Sequence, residues 1–451
     1  MWANFALFNF VNNSKLINLP DNSVKSLSSH NIKSLPDVPK QFLQWFVGFV
    51  DAEGCFSIYP NRNGTSVSFE FRINLHIDDI GVLKKIAKIL DVGVVRINKD
   101  RNSAVFSVKK FNDIVRVILP IFQEFPLQTT KYLDFTCFSE AILIKLNSES
   151  FGTKKIVRIS ETDLIKIKNL RANMNSGRLT IDKEQLDNLT KRVYINVWWL
   201  LGFVEGEGTF GYKHLVPYFQ IGQHKKNLFV LNAIESFLLK LTKESHNTLG
   251  NQTFNVHYAL NKKTNVYSMT VVSIDTLYSN IVPYFQSMSF LTRKALDFHY
   301  WAISVKIHKF GYYYLPEGKK IALQISSGTN KYRYTTTNIA NKIELPSEDS
   351  ISKLLAQPAP FDIASGLSHF ELARKFTISK GGRNGFTVHI YDRESKRGKE
   401  LIGSPFSTYG AGHVALGLRA GSRVIGRYID TGKAYKGRYI FSSIPISVNE
   451  I

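Results

Sequence analysis

The sequence predicts an α+β protein in which one helix–strands–helix–strands–helix unit occurs twice, followed by a small helix-turn-helix-like module. Three observations predict it. WFVGFVDAEGCF (residues 45–56) returns as WWLLGFVEGEGTF (198–210), and three further blocks follow in the same order in both copies. Within the copies, strict polar–apolar alternation gives way to helical spacing, the signature of half-buried strands followed by an amphipathic helix. Beyond residue 310 the composition changes and no counterpart of the repeats remains.

The elements follow in order. Residues 1–39 form an N-terminal extension whose opening, MWANFALFNFVNNSKL, is aromatic and Asn-rich but lacks the Arg/Ser character of a transit peptide. The first repeat spans 40–148. Its apolar helix is followed by VSFEFRINLHI, where Val67, Phe69, Phe71, Ile73 and Leu75 share one face and Ser68, Glu70, Arg72, Asn74 and His76 the other. VLKKIAKIL then has helical spacing. FEFRINLHIDDIGVLKKIAKIL (69–90) is echoed by YFQIGQHKKNLFVLNAIESFL (218–238), SVKKFNDIVRVILPIFQEF (107–125) by TVVSIDTLYSNIVPYFQSM (270–288), and TTKYLDF (129–135) by TRKALDF (292–298). Residues 149–191 are a polar linker with a short helix, and RANMNSGR (171–178) is its flexible stretch. The second repeat covers 192–308. Residues 309–370 make an extension and connector, with GYYYLPEGKKIALQISSGTNKYRYTTTN predicted as strand and turn. Residues 371–451 form a basic module. Within it, 407–441 predicts helix, turn, helix and a basic strand, with Arg419, Arg423 and Arg427 at i, i+4, i+8 on one helical face.

Composition narrows the function. The 451 residues are 44% hydrophobic and 13% aromatic, a globular balance with room for several cores. A formal charge of +22 favours a polyanionic partner, most simply nucleic acid. The two cysteines, Cys55 and Cys137, exclude a disulfide framework and a thiolate zinc cluster. No apolar run approaches the roughly 20 residues of a membrane span, so no membrane partner is expected. The abundance of Phe, Tyr, Asn, Ile and Lys suits an AT-rich coding genome.

The repeated helix carries the chemistry. Gly48 and Ala52 in one copy, Gly202 and Gly206 in the other, put small residues four apart, which lets two helix backbones approach closely. Each helical glycine costs about 1 kcal/mol relative to alanine, and close packing is the natural compensation. Gly54 and Gly208 are expected to end the helices in the left-handed conformation. Paired side by side, the helices would bring Glu53 and Glu207 together at their C-terminal ends, where the helix dipole is already negative. Divalent cations relieve that repulsion, oxygen ligands suit Mg²⁺ (or Mn²⁺), and paired metals activate water and stabilise the leaving oxygen in phosphodiester hydrolysis. An ordinary pair of surface acids is the bland alternative, and duplication in a basic protein argues against it.

FVGFVDAEG (46–54) and LLGFVEGEG (200–208) resemble the two motifs of the single-chain, double-motif LAGLIDADG homing endonucleases, over roughly residues 40–308. The resemblance implies two αββαββα halves related by a pseudo-twofold axis, whose sheets form a saddle on duplex DNA. It implies metal ligation by Glu53 and Glu207, which stand where the family consensus has Asp. It leaves Asp51 and Glu205, about 200° round the helix, structural or beside the metal shell. Lys131 and Lys294, from the TTKYLDF and TRKALDF blocks, become the basic catalytic candidates, with a lysine covering the start of a helix as the plain alternative. Ser57, Tyr59, Arg72, Asn74 and His76, with Tyr212, Lys213, Gln220 and Gln223, are the DNA-reading candidates. The tail is similar to modular helix-turn-helix repeats appended to homing nucleases, so Arg419, Arg423 and Arg427 join the DNA-binding set. Residues 310–336 are similar to extensions of fungal organellar, intron-encoded members. The implied function is a monomeric, Mg²⁺-dependent, site-specific double-strand endonuclease of intron homing, in the mitochondrion, with double-stranded DNA as partner. The competing function is an RNA maturase whose partner is its own group I intron RNA.

Overall fold

The structure is a computed structural model that describes residues 38–60, 66–148, 159–244, 255–329, 344–379, 387–395, 400–401 and 403–446. Nearly all of the N-terminal extension, residues 1–37, lies outside these. The first half runs α1 (Lys40–Glu53), β1 (Gly54–Pro60), β2 (Val67–His76), α2 (Ile80–Leu90), β3 (Val94–Asn98), β4 (Ser103–Val108), a helix α3, and α4 (Lys131–Ser148). α3 runs Phe111–Asp113, a π turn Ile114–Ile118 and Leu119–Glu124. Its π turn leads directly to Pro120, whose missing N–H and bulky ring the wider turn accommodates.

The second half repeats this order: α7 (Val197–Glu207), β5 (Gly208–Lys213), β6 (Val216–His224), α8 (Leu228–Glu244), β7 (His257–Asn261), β8 (Val266–Val271), a helix α9 and α10 (Lys294–Lys309). Here α9 comprises Ile274–Thr276, a π turn Leu277–Ile281 and Val282–Gln286 before its own Pro283. The two sheets have the same order, β1-β2-β4-β3 and β5-β6-β8-β7, with all pairs antiparallel. In both registers the strand's first glycine faces an isoleucine, Gly54 against Ile73 and Gly208 against Ile221.

Alternation decides which face of each sheet is buried. Phe56, Ile58, Phe69, Phe71 and Ile73 are buried under α1, α3 and α4, and Phe210, Phe219 and Ile221 occupy the equivalent places in the second half. One continuous core runs through both halves because α1 and α7 pack against each other along their length. Their contact is backbone to backbone. A Cβ on Gly48 would overlap the Trp199 carbonyl oxygen, and a Cβ on Gly202 that of Trp45.

Three local expectations are corrected. Gly54 (φ −78°, ψ 156°) and Gly208 (φ −75°, ψ 148°) are extended rather than left-handed, because each helix passes straight into a strand. The linker carries two helices, α5 (Glu161–Ala172) and α6 (Lys183–Arg192), and RANMNSGR between them is held by side-chain bonds rather than free. Residues expected as strand and turn after 310 form a short 3₁₀ turn, Tyr312–Tyr314, and α11 (Pro316–Gly328). Pro316 starts that helix, and Ile321 and Ile325 are buried against Ile307, Tyr312, Ile351 and Leu354. The rest of that stretch, from 330 on, lies outside the described residues.

The chain continues through α12 (Glu348–Leu355) and α13 (His369–Ser379) to a small unit. There β9 (His389–Asp392) pairs antiparallel with β10 (Tyr439–Ser442), with α14 (Tyr409–Ala415) and α15 (Val424–Tyr428) beside them. Arg419 lies in the turn between these short helices, Arg423 precedes α15 and only Arg427 is helical. All three are exposed, yet they do not share one helix face. The intervening glycines, Gly417 (φ 73°) and Gly421, break the helix that the arginine spacing suggested. Lys319 on α11 reaches Asp430 of this unit at 3.5 Å, which ties it to the extension packed on α10.

Candidate active site

The last turns of α1 and α7 each present two carboxylates, and the helix geometry sends them to different places. Asp51 is buried and accepts four hydrogen bonds: Gln128 N–H at 2.7 Å, Thr129 N–H at 3.1 Å, Thr129 Oγ1–H at 2.6 Å and the Trp199 indole N–H at 2.8 Å. Glu205 does the same in the other half. It accepts from Leu291 N–H at 3.0 Å, Thr292 N–H at 2.6 Å and the Trp45 indole at 2.8 Å. Each acid therefore fixes the turn before α4 or α10 in its own half and grips a tryptophan of the opposite motif. Burial raises both pKa values, and the convergent donors pull them back. These are structural carboxylates. Trp45 and Trp199, at matching places in the repeat, were the sequence signal for this reciprocal bond.

Glu53 and Glu207 point instead to the open end of the seam. A Cβ on Gly206 would come within 3.2 Å of Glu53 Cγ and 3.3 Å of its Oε1, so the second motif's backbone touches the first motif's acid. Burial raises the pKa of each, the Glu53 charge raises that of Glu207 further, and Lys131 and Lys294 lower both. Two half-buried carboxylates with raised pKa values, opposed by two ammonium groups, form a site built to carry negative charge at a cost.

The lysines are placed by the helix ends. Lys131 Nζ donates to the carbonyls of Val50 (2.8 Å) and Ala52 (3.4 Å), and Lys294 Nζ to those of Val204 (3.0 Å), Gly206 (3.2 Å) and Gly208 (2.6 Å). Val50 and Val204 also accept from the N–H of Gly54 and Gly208, while Ala52 and Gly206 belong to the last turns, whose carbonyls a helix C-terminus leaves without intrahelical partners. The lysines satisfy them in place of a left-handed glycine and counter the dipole where the acids sit. Burial lowers the Lys131 pKa, while Asp51, Glu53 and Glu207 raise it.

The polar lining differs between the two centres. Asp79 raises the Glu53 pKa and accepts from Arg293 N–H at 3.0 Å, while Arg293 Nη1 pairs with Asp78 at 2.8 Å. At the matching place Asn227 accepts from Thr130 N–H at 2.9 Å and donates to Gln223 Oε1 at 2.7 Å, and a hydrogen bond from Gln223 lowers the Glu207 pKa. A cleft of about 390 Å³ opens beside Glu53, lined among others by Asn74, His76, Asp79, Arg101 and Lys294. Asp79 and Asn227 were missed from sequence. Their signal was two polar residues in one column of the aligned repeats, just before the second helix.

The DNA-reading candidates separate by strand parity. Ser57, Tyr59, Arg72 and Asn74 line the face of the first sheet opposite the core, with Arg72 and Asn74 exposed and Tyr59 donating to Glu70 at 3.0 Å. His76 ends this strand and its Nδ1 accepts from Asp78 N–H at 3.2 Å. Lys213 is exposed at the end of β5, and Gln220 bonds Ser268 and Thr270, both at 3.3 Å, on the equivalent face. Two candidates fall elsewhere. Tyr212 shares the core parity of Phe210. Its buried hydroxyl, with a pKa pushed well up by burial, lies against α10 and α11 near Ser304 and Thr329. Gln223 has the parity of Phe219 and Ile221, which carries it under the sheet to Glu207.

Among the described residues no cluster of three or more His, Cys, Asp or Glu side chains converges as a metal cage. A two-carboxylate site with an open side, next to basic residues, fits a cation shared with a phosphate ligand rather than a closed protein cage. Among the same residues no helix is long and apolar enough to cross a membrane.

A family model described as LAGLIDADG endonuclease matches residues 46–142 and 200–305. An uncharacterized mitochondrial protein of Saccharomyces cerevisiae is 26% identical over 89% of this chain and 82% of its own length. A probable intron-encoded endonuclease of Schizosaccharomyces pombe is 29% identical over 38% of this chain and 41% of that protein. A probable intron-encoded endonuclease of Neurospora crassa is 24% identical over 58% and 49%. The chain thus spans less than half the length of these last two relatives. Among solved structures, I-SmaMI bound to an uncleaved DNA target with calcium ions superimposes with a TM-score of 0.52 at 20% identity, covering 64% of this chain and 99% of that one. The I-LtrWI LAGLIDADG homing endonuclease bound to target DNA gives 0.52 at 22% identity, covering 65% and 99%. At these identities the likeness is one of fold.

Proposed function

The chain belongs to the LAGLIDADG endonuclease family, and from that premise we propose that it is a site-specific, Mg²⁺-dependent double-strand DNA endonuclease of intron homing. The observation that carries the reading is the meeting of Glu53 and Glu207 at the open end of one glycine-tight helix seam, each beside a lysine.

Glu53 and Glu207 would hold the divalent cations. Such cations, when bound, activate water and stabilise the leaving oxygen of the phosphodiester. Lys131 and Lys294 hold positive charge against the phosphate side of the seam and fix the helix ends, so the acids keep one geometry through the reaction. Asp51 and Glu205 lock the two motifs together and touch no substrate. The concave faces that carry Ser57, Arg72 and Asn74, and in the second half Lys213 and Gln220, would read the duplex, with Arg favouring guanine and Asn or Gln adenine. One chain supplies both centres, so a monomer suffices. Relatives named as mitochondrial or intron-encoded support a mitochondrial setting.

The test is cleavage of a duplex spanning the intron-insertion site, with and without Mg²⁺. A double-strand cut that requires the metal supports the reading, and a stable complex without any cut in Mg²⁺ refutes it. The C-terminal unit would add affinity through phosphates. If Arg419, Arg423, Arg427 and Lys433 each neutralise one, removing residues 371–451 should make the slope of log affinity against log salt shallower by about 3.6, at about 0.9 per phosphate. An unchanged slope would show that the tail does not bind this DNA.

A further inference from the structure

Residues 173–178, between the linker helices, form a fixed element inside the molecule. Met174 is buried, and a Cβ on Gly177 would collide with the Ala172 carbonyl, so the turn is tight. Asn175 adopts the left-handed conformation (φ 52°), which Asn tolerates better than most residues. Its backbone N–H donates to Asp134 Oδ1 at 3.0 Å, and its side-chain amide donates to the Phe56 carbonyl at 3.0 Å. Arg178 Nη2 donates to the same Asp134 oxygen at 3.0 Å and to the Asn173 carbonyl at 2.6 Å. From the second half, Lys226 Nζ donates to the Arg178 carbonyl at 3.1 Å. The loop therefore bridges both halves.

Its position is the telling feature. β1 is the edge strand of its sheet, and Asn175 occupies the Phe56 carbonyl on that open edge. The Asn175 amide oxygen lies 3.9 Å from Cys55 Sγ, and Cys55 is on the parity facing away from the core, directly opposite Arg72 in the ladder. Lys226 adjoins Asn227, which is bonded to Gln223 beside Glu207. The loop thus borders the sheet face opposite the core at its β1 edge, is linked through Lys226 to the residues beside Glu207, and leaves Asn173, Asn175 and Ser176 exposed. Arg178, paired with Asp134, and Lys226 bring positive charge to the loop, and Arg72 stands opposite Cys55 across the ladder. In the other half the place of Lys226 is taken by Asp78, paired with Arg293.

We propose that loop 173–178 is a DNA-contacting element, in which Asn173, Asn175 and Ser176 donate hydrogen bonds to the backbone phosphates of the strand running past β1, beside the Glu207 centre. The proposal rests on the endonuclease reading. It makes the linker part of the interface and gives the two centres unequal grips on their strands.

The experiment uses the full chain and a labelled duplex recovered from a random library by selection in Ca²⁺. Ser176→Glu and Asn175→Asp each place an anion on the loop, and Asp keeps the tolerance for positive φ. Lys168→Glu, at an exposed position on α5, removes twice as much charge away from the loop. The expected result is at least tenfold weaker binding for both loop variants, with the melting temperature unchanged for Ser176→Glu, whose side chain makes no bond within the loop; Asn175→Asp also removes the bond to the Phe56 carbonyl and is read by its footprint. Hydroxyl-radical protection should also be lost over a few phosphates of one strand beside the cut, with a smaller effect from Lys168→Glu. Parental affinity and a full footprint in Ser176→Glu, with the parent cutting in Mg²⁺, overturn the loop's role alone. A parent that selects no duplex and cuts none overturns the endonuclease reading and this proposal with it.

Discussion

The centres at Glu53 and Glu207 have the same frame and different linings. Both sit at the end of a seam helix, beside a lysine that bonds three or two terminal carbonyls, below a carboxylate that grips the opposite tryptophan. Around Glu53 the next polar residues are Asp79 and the Asp78–Arg293 ion pair, whereas around Glu207 they are Gln223 and Asn227. The difference teaches where duplication is constrained. Residues that set the backbone are retained because any change propagates through two helices at once, while residues that only line the cleft are free to diverge.

The frame itself is the first thing to break. Gly202→Leu should remove both centres together, because its side chain would enter the Trp45 carbonyl and main chain. Overpacking of this kind costs roughly 1–3 kcal/mol in a core that can shift, and more against backbone. A variant whose thermal unfolding matches the parent would show that the halves do not need the close seam.

Next come the acids. Glu53→Gln and Glu207→Gln should each abolish double-strand cleavage and leave duplex binding nearly intact, and a residual nick would measure how independently the other centre works. The metal-free protein should respond in the opposite sense. Both folded-state pKa values are raised, so the native state binds more protons between the ordinary carboxylate value and the raised one. Stability from these groups therefore falls as pH rises through that window and stays low at neutral pH. Either glutamine variant should melt higher than the parent at neutral pH without metal, and Mg²⁺ should stabilise the parent more than the variants. Equal melting at neutral pH would remove the electrostatic argument.

Smaller effects are expected where the halves are tied. Asp51→Asn and Glu205→Gln replace acceptors with groups that face buried donors, at about 1–3 kcal/mol each. Denaturant unfolding of both singles and the double variant checks this. Strictly additive losses would indicate that the two indole bonds do not act as one latch. The smallest effect concerns the linings. Asp79→Asn makes the Glu53 centre resemble its twin and removes a charge that raises the Glu53 pKa. The acid limb of Glu53-dependent nicking should move to lower pH, and an unmoved limb would make the difference between the linings electrostatically silent.

The sequence by itself determined the repeat, the strand faces, the close helix pairing and the two acids at its end. Each of these is written in local spacing: period two in β2, small residues four apart, and a matched Glu before a matched Gly. It misplaced Tyr212 and Gln223, because the strands of the second copy, interrupted by Gly211 and Gly222, lack the strict apolar–polar alternation of VSFEFRINLHI, so the parity these residues share with Phe210 and with Phe219 and Ile221 was masked. It also could not say that Asp51 and Glu205 face indoles of the opposite motif, that Lys131 and Lys294 end the helices, or that residues 173–178 close the edge of β1. Those partners lie far apart along the chain, and only tertiary packing brings a carboxylate, an amide or an ammonium group within bonding distance of a group whose need for a partner the sequence does not display.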